Sequence, residues 1–94
     1  MSKKKLHYKV RQKIVKLVKS KNYFQLGYYL FELIFRDNRV KDKRDKFIGI
    51  TPQKTEKLME RRFPPNTSDK TIEEECYTFI QRSIELIDRG QLEP

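Results

Sequence analysis

Apolar residues along this chain recur at spacings of three and four, the period of a helix lying on a core. Leu6, Val10, Ile14, Leu17 and Val18 form the first such stripe and predict a helix over about 6–20, with Tyr8 and Val15 widening its apolar arc. At about 100° per residue, Lys5, Lys9, Lys13 and Lys16 fall on the opposite side. Ser20-Lys21-Asn22 then reads as a tight connection. Asn22 is placed to cap a second helix over about 23–36, with Gln25 three residues later as in a capping box.

The second helix is apolar over most of its circumference. Tyr23, Phe24, Leu26, Tyr28, Leu30, Phe31, Leu33, Ile34 and Phe35 leave Gln25, Tyr29, Glu32 and Arg36 as a narrow polar strip. Such a helix is central to its domain or lies in an oligomer interface. Gly27 costs a helix interior about 1 kcal/mol against Ala, so its presence predicts a close helix–helix approach. Residues 36–46 are almost wholly charged, with Val40 the one apolar member, and read as an exposed loop or a solvated extension of helix two.

Phe47, Ile48 and Ile50 return the chain to the core, and Thr51-Pro52 pairs a capping residue with proline at the first helical position. The third helix is expected over 52–63, burying Leu58, Met59 and Phe63, and Pro64-Pro65-Asn66 ends it. A fourth is expected over 71–89, starting near Asp69–Thr71 with Thr71 and Glu74 as a capping box. Its stripe is Ile72, Cys76, Phe79, Ile80, Leu86 and Ile87, with Gly90 as left-handed cap. No alternation of strand period and no repeat interrupts this pattern. The expectation is one all-α, four-helix domain over 1–94, its first two helices an antiparallel hairpin and 91–94 a frayed tail.

Charge changes this picture most. The chain of 94 residues carries a formal net charge of +9, unevenly placed. Residues 1–46 hold fifteen Lys and Arg against four acids, whereas 47–94 hold seven against nine. The first 21 residues contribute nine positive charges and no acid. A field this lopsided concentrates anions. The N-terminal lysines are followed by no apolar stretch, which reads against a secretory signal. The longest apolar run, Leu26 to Phe35, falls short of the roughly 20 residues of a membrane span. One cysteine cannot form an internal disulfide. The expected location is cytoplasmic, or nuclear in a eukaryote.

Candidate chemistry is thin. One His and one Cys cannot assemble a zinc set, so Cys76 reads as a buried structural thiol and His7 as a solvated residue flanking the lysine face. Glu73-Glu74-Glu75 point about 100° apart on a helix and read as favouring the helix dipole rather than sharing a cation. No Gly-rich phosphate loop is present, and no base stands beside a nucleophile. The chain reads as a non-enzyme with neither metal nor cofactor.

Two binding patterns are left. Residues 48–62 resemble half of a helix-turn-helix: Gly49 in the turn, Thr51 as cap, then Lys54, Lys57, Arg61 and Arg62. Asp45 stands where a small packed residue belongs, and Thr55 is a weak internal partner. The lysine face of helix one is the stronger signal, since cationic helices serve phosphate backbones, acidic proteins or anionic membranes. Membrane insertion is disfavoured because that helix's apolar face lacks bulky anchors and is needed for the bundle. The function expected is nucleic-acid binding (DNA or RNA) by a small accessory or regulatory protein. Lys5, Lys9, Lys13 and Lys16 would contact phosphates, supported by Arg39, Lys41, Lys43 and Arg44 and by Lys54 and Lys57. The alternative is a helical adaptor, inhibitor or immunity-type module that binds an acidic protein or self-associates through helix two as a homodimer.

Overall fold

The computed structural model describes residues 6–44 and 51–90, and within them the chain is all-α. Four helices follow one another: α1 (Tyr8–Lys19), α2 (Tyr23–Ile34), α3 (Pro52–Arg62) and α4 (Asp69–Asp88). Among the described residues between α2 and α3, Lys41–Lys43 form a 3-10 turn. None of these helices is long and apolar enough to cross a membrane. The hydrophobic return Phe47–Ile50, the turn residue Gly49, Asp45, Lys5 and the tail 91–94 lie outside the described residues.

Local signals set most helix ends. His7 Nδ1 accepts the Lys9 amide at 3.2 Å, so this histidine is the N-cap of α1. At the other end Lys21 takes a left-handed φ of 60°, and the Asn22 and Lys21 amides close back onto the Leu17 and Val18 carbonyls. That is a Schellman ending built without glycine. Asn22 Oδ1 then accepts the Gln25 amide and starts α2, as its position in the sequence suggests. Thr51 Oγ1 caps α3 by accepting the Lys54 amide at 3.1 Å, with Pro52 at the first helical position. Gly90 closes α4 at φ 71°.

Some boundaries and faces differ from expectation. The cap of α4 is Ser68, which accepts the Thr71 amide at 3.1 Å, so the helix begins two residues before the Thr71 start. α2 stops at Ile34, and residues 35–44 are neither helix extension nor free loop. Val40 is fully buried and holds that segment to the core. On α4 the buried stripe runs through Ile72, Cys76, Ile80, Ile84 and Ile87, with Phe79 and Leu86 only half-buried. The 100° advance of a helix puts Ile84 in line with Ile80 and Ile87 and swings Leu86 off that line.

α1 and α2 turn back on one another as a hairpin, with Lys13 beside Tyr29 across it. The most extensive packing in the molecule is α2 on α3, and α4 closes over α1 and α2. Gly27 is why α2 and α3 come so close. A Cβ there would stand 2.5 Å from the Pro52 carbonyl oxygen and 3.0 Å from the Glu56 amide nitrogen. Met59 and Thr55 of α3 are buried at this contact, the Thr55 hydroxyl donating to the Thr51 carbonyl at 2.9 Å.

Cys76 is fully enclosed, and burial, with Glu75 alongside, pushes its thiol up to about 12. The folded chain therefore keeps this proton above pH 9.0, where an exposed thiol gives it up. Ionisation favours the unfolded chain, so this contribution to stability declines as pH rises from 9.0 toward about 12. The same enclosure makes a simple expectation at pH 8. A thiol-reactive dye should label the native protein far more slowly than the urea-unfolded chain. Equal rates would place Cys76 at the surface.

Candidate nucleic-acid interface

The basic residues divide according to whether an acid already holds them. Arg11 Nε lies 2.9 Å from Glu73 Oε1, and the other carboxylate oxygen accepts the Leu6 amide at 3.1 Å. Glu73 is buried, so it ties the start of α1 to α4. The three glutamates therefore differ: Glu73 makes this tie, Glu75 pairs with Arg62 at 2.8 Å, and Glu74 is exposed. The acid in the first turn of α4 is Asp69. Lys19 sits 2.7 Å from it and holds its carboxyl below the usual range.

The segment after α2 uses its charges in the same way. Arg39 donates through Nε and Nη2 to the two oxygens of Asp37, which also accepts the Arg39 amide. These bonds hold the Asp37 carboxyl below its ordinary range. Lys43 donates to the carbonyls of Ile87 and Asp88 at 3.5 and 3.1 Å, at the negative end of α4, and lies 3.7 Å from the Asp88 carboxylate. Arg44 stacks over the Phe31 ring at 5.3 Å. Of the basic groups expected to support binding here, Arg39 and Lys43 each have an acidic partner, Arg44 lies over Phe31, and Lys41 is exposed with no acidic partner among the described residues.

Lys9, Lys13 and Lys16 are different. All three are exposed, and no described acid pairs with any of them. They line one shallow groove with Gln12, Ser20, Asn22 and Gln25, between α1 and the start of α2. Lys13 Nζ also sits 4.5 Å above the half-buried Tyr29 ring. The lysine face thus flanks α2 instead of pointing straight away from the bundle. Lys54 and Lys57 are exposed on α3, which shares no comparable packing with α1, so they form no continuation of this groove. The described residues before α3 hold a 3-10 turn where a helix-turn-helix has its first α-helix.

The polar strip of α2 is also wider than its periodicity indicates. Phe24 is 56% and Tyr28 42% exposed, and the two rings meet edge to face at 5.2 Å. With Lys13, Gln25, Tyr29 and Glu32 they line a second shallow depression that shares Lys13 and Gln25 with the lysine groove. The only hint in the sequence is the excess apolar circumference of α2, more than one small core can cover. No group of His, Cys, Asp and Glu among the described residues is arranged to hold a metal ion. Comparison of the chain with protein-family models, with curated proteins and with solved structures returned no match.

Proposed function

We propose that this is a small basic accessory or regulatory protein that binds nucleic acid through the α1 face. What supports the reading is the contrast between Arg11, Lys19, Arg39, Lys43 and Arg62, each held by an acid, and Lys9, Lys13 and Lys16, which share one groove and have no acidic partner among the described residues. From Lys9 to Lys16 is about 10 Å along a helix at 1.5 Å per residue, so the three lysines are close enough to follow one stretch of phosphate backbone. Lysines hold a backbone without reading bases. The alternative, a non-enzymatic module for an acidic protein or for a second copy, draws on the exposed rings of α2.

A salt titration tests the reading. Replacing Lys9 and Lys13 together with Gln preserves length and helix propensity and removes two charges. The slope of log K against log salt on duplex DNA is expected to shrink by about 0.9 for each lost contact, with stability lowered by no more than the lost Lys13–Tyr29 contact, about 0.5–1 kcal/mol. Lys54→Gln with Lys57→Gln is the matched pair and should leave the slope alone. A loss confined to that pair would move the interface to α3. Absence of binding by the unmodified protein at low salt would overturn the proposal in favour of the interaction module.

A further inference from the structure

We infer that the preferred ligand is single-stranded nucleic acid, whose bases stack on Phe24 and Tyr28 while Lys9, Lys13 and Lys16 hold its phosphates. This deepens the proposed function and rests on it. Three observations lead there. First, the exposed large apolar side chains among the described residues are Tyr8, Phe24 and Tyr28, all aromatic rings. Among the described residues Leu, Ile, Val and Met are buried or half-buried, so the exposed apolar area consists of ring surface, the kind on which bases stack.

Second, the rings adjoin the unpaired lysines. Lys13 and Gln25 border both the lysine groove and the aromatic depression, so a chain lying in one reaches the other. Cationic side chains tracking a backbone beside aromatic faces that accept any base is the arrangement by which single strands are held without sequence readout. Third, the rings of Phe24 and Tyr28 sit at i and i+4 on one helix, 61° apart in plane. At that angle, the ring faces left free by the edge-to-face contact would take separate bases. A duplex keeps its bases stacked on each other and cannot use such faces, whereas a single strand can. Gln12 and Gln25 add amides along the groove, and Glu32 at the far end of the depression opposes extension of the phosphate path beyond it.

Binding of a labelled oligothymidylate of about a dozen nucleotides and of a duplex of equal length, followed by anisotropy at low salt, tests this. The unmodified protein is expected to bind the single strand at least about tenfold more tightly. Phe24→Leu with Tyr28→Leu keeps the surface apolar and removes the stacking faces. It should weaken single-strand binding about tenfold or more and leave duplex binding and both salt slopes unchanged. The Lys9→Gln, Lys13→Gln pair should instead weaken both ligands and flatten both slopes. Because the chain has no Trp, quenching of tyrosine emission on adding oligothymidylate, reduced in Tyr28→Leu alone, gives a second readout.

Equal affinity for both ligands, with the Leu pair indifferent, would overturn the single-strand inference and leave the nucleic-acid reading standing. No binding of either ligand would remove both. Concentration-dependent sedimentation abolished by the Leu pair, with no single-strand preference, would assign the rings to a second copy of this chain and also overturn the inference.

Discussion

Gly27→Ala is expected to destabilise the domain by about 2 kcal/mol or more, although alanine is the better helix former by about 1 kcal/mol. The new methyl group would meet the Pro52 carbonyl oxygen at 2.5 Å and the Glu56 amide nitrogen at 3.0 Å. Both are backbone atoms, so no side chain can swing aside. α2 and α3 must separate, and the packing at Met59 and Thr55 loosens with them. Urea unfolding should show a lower midpoint at an unchanged slope, the mark of lost stability in an otherwise similar transition. A midpoint at or above that of the parent chain would mean that the two helices do not approach this closely. Gly27→Val adds a branched side chain at the same point and should cost more still.

The need for a glycine could be read from the sequence, but its partner could not. A glycine inside an apolar helix pattern signals close approach, yet nothing local to it indicates that the surface it meets is the first turn of α3. Caps behave in the opposite way. Asn22, Thr51-Pro52 and Gly90 act on amides and carbonyls within a few residues, so the sequence carries both halves of the interaction. The exception is Ser68, where Thr71 offers an equally good local signal and only the backbone geometry separates them.

The same logic divides the charges. The lysine face of α1 follows from spacing alone. Which cations remain unpaired does not, because Glu73, Asp69 and Asp88 come from the far end of the chain. Glu73, Glu74 and Glu75 are indistinguishable in sequence, and the helical turn buries the first, leaves the second exposed and gives the third to Arg62. Folding therefore pairs Arg11, Lys19, Arg39 and Lys43 and leaves Lys9, Lys13 and Lys16 together at one groove, with Lys21, Arg36 and Lys41 exposed elsewhere. Much of the +9 charge is left outside ion pairs, but at the α1–α2 groove it lies beside exposed aromatic rings.

α2 also sets the last expectation. Its apolar circumference admits two readings, a helix central to the core or one seated in a dimer seam, and neighbouring positions on it now separate them. Leu30 has no exposed surface and lies among Leu26, Ile34 and Met59 of the core cluster. Leu30→Ala should cost about 2–5 kcal/mol, transfer and cavity terms together. Phe31, one step round the helix, is half-buried between Phe35 at 5.0 Å and the Arg44 guanidinium. Its truncation opens to solvent instead of leaving an enclosed void, so Phe31→Ala should cost less than Leu30→Ala despite removing more atoms. Urea unfolding of the two variants, each accompanied by sedimentation, decides between the readings. A core role predicts that the ranking holds with sedimentation unchanged. A folded Leu30→Ala protein of undiminished stability that has lost an oligomer would instead put Leu30 in a seam. The face of α2 that packs on α3 would then have to be redrawn, since Leu30 could not serve both partners at once.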